Sequence, residues 1–324
     1  MIRKKIKVHH PISNQTRYIR YFHFFCDALI AELKKTYDVE EHRYTTDVST
    51  SPIYINLQGG TVDNFYMDDS DIIIENEKNE FIIFTATDII TPQLLLEKNN
   101  PNLKKVFISQ YYAENVKANV KDDSIYVEKY SPWIYFPHST INLEPFFHKR
   151  KYITNFIDKM VFRGVAAHRQ IVNYFSKDIM DGPEFLNSEL EYYEDIIKYK
   201  VGLSTGGRGE LCYRDIEYMA IGIPFLRFTY QSKMLPGLIP NFHYISVDVP
   251  DDLPVDPHRD NMPHDSRGTE QHAELLSKRF LEVKDDRDFL EFISRNARIY
   301  YETYLAPVQN VKYTISLIND FLIA

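Results

Sequence analysis

Residues 199–228 read YKVGLSTGGRGELCYRDIEYMAIGIPFLRF. The apolar run Val201–Leu203 enters a turn at Ser204–Gly207, and a segment with helical spacing follows it. Gly222 and Pro224 then end the helix before a second apolar run. The stretch therefore predicts a strand, a polar loop, a helix and a second strand, in that order.

Such a unit brings the N-terminus of a helix to the carboxyl end of a parallel strand. The first backbone N–H groups of a helix have no partner inside it, and the helix dipole favours negative charge there. Ligands of open α/β sheets bind at this edge. Because Arg208 and Arg214 follow the Gly206–Gly207 turn, we expect the bound group to be a diphosphate.

The composition is that of a globular chain long enough for two domains. It has 324 residues, whereas one hydrophobic core stops growing at about 250–300 residues. The formal net charge is −8, and general nucleic-acid binding needs a basic surface instead. We expect no nucleic-acid partner, and a local group of arginines must hold any anionic ligand.

We expect the chain to work in the cytoplasm. Cys26 and Cys212 lie far apart, which is typical of free thiols in a reducing compartment. The basic N-terminus lacks the apolar core of about 7–15 residues that marks a secretory signal. No window approaches the roughly 20 apolar residues of a transmembrane helix.

Strand and helix patterns alternate along the chain, which indicates an α/β fold. The first half has an amphipathic helix over residues 18–35 and two short strands, Asp71–Glu75 and Phe81–Thr85. Residues 130–151 contain three prolines and have no regular period, so we interpret them as the crossing between domains. A helix is predicted around residues 169–175.

Four arginines are candidates for holding the diphosphate: Arg163, Arg169, Arg208 and Arg214. A planar guanidinium is the side chain best shaped to hold phosphate oxygens. The alternative is that each one pairs with nearby acids at the surface. Two basic turns after two strands of one sheet favour the diphosphate site.

The neighbouring residues fit the same interpretation. Glu217 lies three residues after Arg214, where its carboxylate could accept hydrogen bonds from two ribose hydroxyls. A helical ion pair with Arg214 is the alternative. The turn carries Ser204 and Gly207, and its glycines let the backbone approach a ligand closely. Its spacing is neither that of a Walker loop nor that of a dinucleotide fingerprint.

Motifs for other chemistry are few. Asp69-Ser70-Asp71 matches the short acidic pattern with which one class of transferase binds manganese, although such patterns also arise by chance at turns. No Gly-X-Ser-X-Gly elbow is present, and neither cysteine lies near a convincing histidine motif. A hydrolase is therefore disfavoured.

Three blocks of the second half resemble a known family. Met160–Arg169 reads MVFRGVAAHR, Lys200–Arg227 reads KVGLSTGGRGELCYRDIEYMAIGIPFLR, and Leu238–Val247 reads LIPNFHYISV. Their order and spacing resemble the donor domain of GT-B-type glycosyltransferases. More narrowly, they are similar to the protein O-glucosyltransferase family, which includes capsule-associated and lipopolysaccharide-modifying members. The exostosin-like transferases are the nearest competing family.

The resemblance implies two Rossmann-like domains that face each other across a cleft, a UDP-sugar donor and inverting transfer that needs no metal. By position, Arg163, with Gly164 after it, and Arg214 match residues near the donor diphosphate, and Arg208 is a further candidate. The family's catalytic base follows an apolar strand of the first domain. Here the similar segment is Phe81–Gln93, FIIFTATDIITPQ, which makes Asp88 the candidate.

The base is not fixed by this similarity alone. Thr87 stands where the family has an arginine, and the gap before Pro92-Gln93 is longer. Asp88 could equally be the N-cap or turn residue before a short helix. Asp71 and Glu75 are the other candidates.

We therefore expect residues 1–145 to form an acceptor-binding domain and residues 146–300 a donor domain. Residues 301–324 would form a C-terminal helix that crosses back to the first domain. The expected activity is sugar transfer from a nucleotide sugar to a glycan, glycolipid or protein hydroxyl, with no cofactor besides the donor. The alternatives are a catalytically inactive nucleotide- or glycan-binding protein and a metal-dependent GT-A-type transferase that uses Asp69 and Asp71.

Overall fold

The chain forms two compact units. The computed structural model describes residues 3–11, 17–44, 71–85, 101–109, 129–134, 142–164, 170–184, 186, 188–205, 211–230, 232–250, 253 and 269–323. Unit 1 takes residues 1–138, 232–236 and 307–324, and unit 2 takes residues 139–231 and 237–306. None of the helices in these ranges is both long enough and apolar enough to cross a bilayer.

Unit 1 contains a six-stranded mixed sheet in the order β2-β1-β3-β4-β5-β6. Its strands are β1 (Lys5–Pro11), β2 (Asp38–Tyr44), β3 (Asp71–Glu75), β4 (Phe81–Thr85), β5 (Leu103–Ile108) and β6 (Tyr130–Pro132). Strand β3 runs antiparallel to its neighbours β1 and β4, and the other pairs are parallel. Every residue of β3 and β4 is buried, as expected for central strands covered on both faces, and both predicted strands are confirmed.

Unit 2 contains a five-stranded sheet in the order β11-β10-β9-β7-β8. Its strands are β7 (Ile157–Arg163), β8 (Met180–Glu184), β9 (Tyr199–Leu203), β10 (Phe225–Phe228) and β11 (Ile245–Val247). All of its neighbouring strands are parallel. The predicted α/β class is therefore confirmed by two sheets with helices packed against them.

Helices lie between several of the strands and make up most of residues 270–323. They are α1 (Arg17–Leu33), α2 (Glu144–Lys151), α3 (Glu189–Ile196), α4 (Tyr213–Ile221), α5 (Glu270–Val283), α6 (Arg287–Tyr300), α7 (Pro307–Leu317) and α8 (Asn319–Ile323). A 3₁₀ helix spans Gln170–Tyr174, and a π-helical segment, Tyr301–Leu305, continues α6. The predicted strand–helix–strand order of residues 199–228 is confirmed.

The C-terminal helices complete the core of unit 1. Helix α1 buries an apolar stripe in this core, as its sequence predicts, and α7 packs against α1. Trp133 is fully buried there and donates its indole N–H to the Thr314 hydroxyl at 3.2 Å. Asn310 donates to the carbonyl of Ile134 at 3.1 Å. Both contacts pair polar groups that are buried in this core.

Two details of secondary structure differ from the expectation from the sequence. Residues 130–151 are not irregular throughout, because they include β6 and α2. Pro145 lies in the first turn of α2, where its missing N–H would have had no helical acceptor. The helix predicted around residues 169–175 is a short 3₁₀ helix at 170–174.

One buried histidine lies in the turn before β11. His243 is 7% exposed, and its Nδ1 accepts the backbone N–H of Ile239 at 2.9 Å. Its ring contacts the rings of Phe242 and Tyr300 at centroid distances of 4.8 and 4.9 Å. Burial lowers the pKa of His243 to about 4, because these surroundings disfavour the imidazolium. The residue is therefore neutral at pH 7 and acts in packing.

His243 should make the stability of unit 2 depend on pH. The unfolded side chain has a pKa of 6.5, so it takes up a proton in a range where the folded side chain does not. The stabilisation is complete above pH 6.5 and is lost as the pH falls towards 4. Urea unfolding at about pH 7 and about pH 4.5 should show a loss about 2 kcal/mol larger for the wild type than for His243→Gln. Equal losses would contradict this assignment.

Candidate functional site

The strand order of unit 2 marks one place for a ligand. Strand β7 is the first strand of the sheet, and the next two strands, β8 and β9, lie on opposite sides of it. The connection that follows β7 leads to β8 on one side, and the connection that follows β9 leads to β10 on the other side. Where two neighbouring parallel strands continue in opposite directions in this way, a ligand crevice is expected at their carboxyl ends. Gly164 follows β7 and Ser204 follows β9. This crevice is the candidate site.

Helix α4 begins beside the end of β9. Its N-cap is Cys212, whose Sγ lies 3.4 Å from the Oγ of Ser204. The backbone N–H of Cys212 donates to the Asp215 carboxylate at 2.7 Å, which stabilises the first turn. At the other end Gly222 has a φ of 72°, the left-handed conformation that ends many helices. The N-terminus of α4 is thereby brought to the crevice.

Arg214 supplies the positive charge of the site. Its side chain is buried with 8% exposure, and the guanidinium lies 4.2 Å from the centroid of the Phe162 ring. Nη2 donates to the carbonyl of Arg163 at 2.6 Å, but Nε and Nη1 have no acceptor among the described residues. A buried charge whose donors lack partners is costly, and an anion in the crevice would supply the missing acceptors.

The surroundings keep Arg214 charged. Burial lowers the pKa of Arg214, but the nearby Cys212, Tyr192, Tyr218 and Glu217 side chains raise it overall. The guanidinium is therefore a permanent cation, available to a phosphate group at any physiological pH.

Gly164 leaves room for this guanidinium. Its φ is 142°, a conformation that side chains rarely adopt, and its N–H donates to the carbonyl of Glu184 at 2.8 Å. A Cβ at this position would lie 2.9 Å from Nη2 of Arg214. The close approach of the backbone to Arg214 thus requires glycine.

The side chain of Arg163 is held by hydrogen bonds to other residues of unit 2. Its Nε donates to Asp195 at 2.7 Å, Nη1 to the carbonyl of Asp181 at 2.9 Å, and Nη2 to the hydroxyl of Tyr199 at 2.8 Å. The side chain thereby links β7 to β8, β9 and α3. Its direct contact with a donor diphosphate stays a prediction, and in this structure only its carbonyl contacts Arg214.

Glu217 lies one turn after Arg214 on α4. Its Oε2 accepts the hydroxyl of Tyr192 at 2.8 Å, and its Oε1 accepts the hydroxyl of Tyr193 at 3.0 Å. Burial raises the pKa of Glu217. Between the two described side chains of Glu217 and Arg214 there is no ion pair at 4.0 Å or less, but the charge of Glu217 still raises the pKa of Arg214. Each carboxylate oxygen keeps a lone pair for a further donor.

Several predicted residues lie outside the described part of the chain. They are Asp69, Asp88, Arg169, Gly207 and Arg208. Their roles stay predictions. Of the predicted donor-site residues, the structure brings Gly164, Ser204 and Arg214 to the crevice, with Glu217 further along the same helix.

Other contributors were not predicted from the sequence. The hydroxyl groups of Tyr192 and Tyr193 donate hydrogen bonds to Glu217. The feature of the sequence that could have indicated this role is the Tyr-Tyr pair in the acidic helix before β9. Arg227 and Asp215 form an ion pair at 2.9 Å in which both side chains are almost completely buried. The guanidinium of Arg227 also lies 3.3 Å from the centroid of the Tyr230 ring. This pair fixes Asp215, which in turn caps α4.

The other base candidates, Asp71 and Glu75, lie at opposite ends of β3 in the unit 1 sheet. Because β3 runs antiparallel, its first residue, Asp71, pairs with Thr85, the last residue of β4. Asp71 therefore lies at the carboxyl edge of the parallel strands. Glu75 pairs with Phe81 at the other edge and lies 3.1 Å from Nζ of Lys7. Although burial raises the pKa of Glu75, His9 and Lys7 lower it overall.

Comparisons with known proteins give only distant structural similarities. No protein-family model matches the chain. No curated protein matches it.

Three solved structures illustrate the similarities. Sucrose-phosphate synthase from Thermosynechococcus elongatus matches with a TM-score of 0.43 and 12% identity, over 71% of this chain and 61% of that one. The GtfA/B complex matches with a TM-score of 0.35 and 8% identity, over 79% and 66%. The pneumococcal O-GlcNAc transferase GtfA in complex with UDP and GlcNAc matches with a TM-score of 0.36 and 8% identity, over 98% and 99%.

This chain spans 61% of the length of that sucrose-phosphate synthase. With TM-scores of 0.43 or less, no residue role in this chain follows from these similarities.

Replacing Gly164 should strain the site. In Gly164→Ala the new methyl group would both occupy an unfavourable φ and press on Nη2 of Arg214. We expect a loss of about 1–3 kcal/mol in the free energy of unfolding, measured by urea denaturation. Asp178→Ala, on an exposed turn, is the control and should stay within about 0.5 kcal/mol of the wild type. A Gly164→Ala protein as stable as that control would refute the close approach.

Proposed function

We propose that this chain is a glycosyltransferase that moves a sugar from a UDP-sugar to a hydroxyl of a glycan, glycolipid or protein. One observation carries the proposal: the buried guanidinium of Arg214, at the crevice of a parallel sheet, has two nitrogens without an acceptor in the part of the chain that the structure describes. A diphosphate is an anion of the right kind, because its oxygens accept several charge-assisted hydrogen bonds. The sequence blocks that resemble GT-B donor domains include both sides of this crevice.

The chemistry of sugar transfer suits a buried cation. As the bond between the sugar and the diphosphate breaks, negative charge grows on the leaving group. Arg214 and the N-terminus of α4 would stabilise that charge, because both are held in place before the reaction. Ser204 lies beside them and is 1% exposed. In this proposal the diphosphate needs no metal ion.

Glu217 would bind the ribose of the nucleotide. Its carboxylate is already oriented by Tyr192 and Tyr193, each of which donates one hydrogen bond. The remaining lone pairs can accept two neighbouring hydroxyl groups. One helical turn separates Glu217 from Arg214. The ribose and the diphosphate of one nucleotide would therefore bind to these two residues side by side.

Inverting transfer also needs a carboxylate that accepts the proton of the attacking hydroxyl. Asp88 is the candidate by family resemblance. Of the two other candidates, Asp71 lies at the carboxyl ends of the parallel strands, where α/β folds bind ligands. Glu75 lies at the opposite end of β3. Asp71 is therefore the preferred substitute for Asp88, and Glu75 serves as a control.

Removal of the Arg214 charge should weaken nucleotide binding. Arg214→Met keeps an apolar chain against Phe162 and removes the guanidinium. We expect the Kd for UDP, measured by calorimetry, to rise at least about tenfold, which is typical of one lost charge-assisted hydrogen bond. Lys278→Met, on α5, is the matched control and should bind as the wild type does. Unchanged binding in Arg214→Met would refute the site.

Loss of the base should stop the reaction without stopping binding. We expect the wild type to hydrolyse a UDP-sugar slowly, and Asp88→Asn to lower that rate by about 100-fold or more at an unchanged Kd for UDP. If Asp71→Asn alone has this effect, Asp71 is the base. Glu75→Gln should change neither quantity.

The same assay separates the alternatives. A nucleotide- or glycan-binding protein without activity would bind UDP and hydrolyse nothing. A metal-dependent transferase would lose its activity in EDTA, whereas the proposed enzyme keeps it. A thermal-shift screen against UDP, GDP, CMP and their sugars identifies the donor, because a ligand that binds only the folded state stabilises it by about 2.7 kcal/mol at a hundredfold excess over Kd.

A further inference from the structure

The side chain of Arg163 points away from the crevice at the end of β7. Its Nη1 donates to the carbonyl of Asp181 at 2.9 Å, and Asp181 pairs in the sheet with Val161, two residues before Arg163. Its Nη2 donates to the hydroxyl of Tyr199, the first residue of β9, at 2.8 Å. The guanidinium therefore lies back along the strands, away from the carboxyl ends where the crevice is.

Every nitrogen of this guanidinium has an acceptor within unit 2. Nε donates to the Asp195 carboxylate at 2.7 Å, and Nη1 is also 3.4 Å from the carbonyl of Phe162. Arg214 differs, because two of its nitrogens have no acceptor in the described ranges. A phosphate would therefore bind Arg214 without displacing a protein group, whereas at Arg163 it would have to displace one.

The charges around Arg163 also disfavour an anion there. Three carboxylates contact its guanidinium at 3.5, 3.7 and 2.7 Å, those of Asp181, Glu184 and Asp195. Two further cations act on these acids, Lys159 and Lys198. The three negative charges balance the three positive ones, so this cluster offers a diphosphate no net attraction.

The hydroxyl of Tyr199 connects two members of the cluster. It donates a hydrogen bond to the Asp181 carboxylate and accepts one from Arg163. Burial raises the pKa of Tyr199 to about 12, so the proton for this donation is present at neutral pH. Loss of this one hydroxyl would loosen Arg163 without changing any charge.

The main chain of Arg163, unlike its side chain, contacts the proposed phosphate site. Its carbonyl accepts the hydrogen bond of Arg214 Nη2 at 2.6 Å. The next residue is fixed as well, because the N–H of Gly164 donates to the carbonyl of Glu184 at 2.8 Å. The position of the Arg214 guanidinium thus depends on the end of β7. The Arg163 side chain holds that end to β8, β9 and α3.

We propose that Arg163 is a positioning residue whose side chain fixes the carbonyl that holds Arg214, and that of these two arginines only Arg214 binds the phosphates. The identity of the ligand rests on the proposed function, whereas the coupling between the two arginines does not. The two side chains then have separate tasks at one crevice. One is fully bonded within the protein, and the other keeps donors for a ligand.

A double-mutant cycle on nucleotide binding tests this proposal. The four proteins are the wild type, Arg163→Met, Arg214→Met and the double variant, and calorimetry gives the Kd for UDP of each. We expect Arg163→Met to raise the Kd about three- to tenfold when Arg214 is present. In the Arg214→Met background the same change should raise it less than about twofold, because its effect passes through Arg214.

Tyr199→Phe is a milder variant for the same cycle. It leaves the charge of Arg163 in place, so it replaces Arg163→Met if the three acids prevent that protein from folding. We expect a rise in Kd of about two- to fivefold, again only when Arg214 is present. Tyr152→Phe is the matched control, since its ring is 85% exposed, and it should bind UDP as the wild type does.

A measurement without ligand examines the coupling itself. The Nε–H group of Arg214 gives a side-chain NMR signal, which its absence in Arg214→Met identifies. We expect this signal to shift or broaden in Tyr199→Phe and Arg163→Met, because the guanidinium gains freedom when the end of β7 is released. Tyr152→Phe should leave it unchanged.

Each outcome decides the proposal. If Arg163→Met raises the Kd equally in both backgrounds, Arg163 binds the phosphates itself and the proposal is wrong. If both Arg163→Met and Tyr199→Phe bind UDP as the wild type does, the network serves stability alone and the proposal is again wrong. If the wild type binds neither UDP nor pyrophosphate, the proposed function fails. The positioning role then stands if Tyr199→Phe alters the Arg214 signal and is refuted if it does not.

Discussion

The burial of one positive charge is the constraint on which the unit 2 site depends. Arg214 lies against the Phe162 ring with one hydrogen bond to the carbonyl of Arg163, and two of its nitrogens have no acceptor among the described residues. A folded protein that keeps such a group must stabilise it elsewhere or satisfy it with a ligand. The apolar core and the helix around it hold the guanidinium in place before any ligand arrives. Preorganisation of this kind favours charge that develops during a reaction.

The local sequence around Arg214 is organised by that requirement. Gly164 provides space at the end of β7, and the Arg163 side chain turns away to bind carboxylates and a tyrosine. Asp215 caps α4 and is itself held by Arg227. In this structure the described contacts of these residues position the groups around Arg214. Arg163 and Arg214, which look equivalent as strand-end and helix arginines, therefore have different environments.

The sequence predicts local structure well where the pattern is dense. Residues 199–228 give the correct strand–helix–strand order, because apolar runs of strand length flank a helical period that Gly222 ends. Strand order is not a local property, so the crevice between β7 and β9 could not be located from the sequence. The orientation of Arg163 depends on the carbonyl of Asp181 and the carboxylate of Asp195, which lie 18 and 32 residues further along the chain. The direction of β3 decides which of Asp71 and Glu75 lies at the carboxyl ends of the parallel strands. The run DIIIE does not reveal that direction.

The discontinuity of unit 1 has a consequence for how the protein reaches its native state. Residues 307–324 belong to unit 1. One of them, Thr314, accepts the hydrogen bond of the buried Trp133 indole. During synthesis from the N-terminus, unit 1 cannot close its core until residues 307–324 have been made, whereas all residues of unit 2 have been made by residue 306. Unit 2 is thus free to fold first, and the first unit would expose its apolar sheet for the whole of that interval. Such exposure invites aggregation or chaperone binding during biosynthesis.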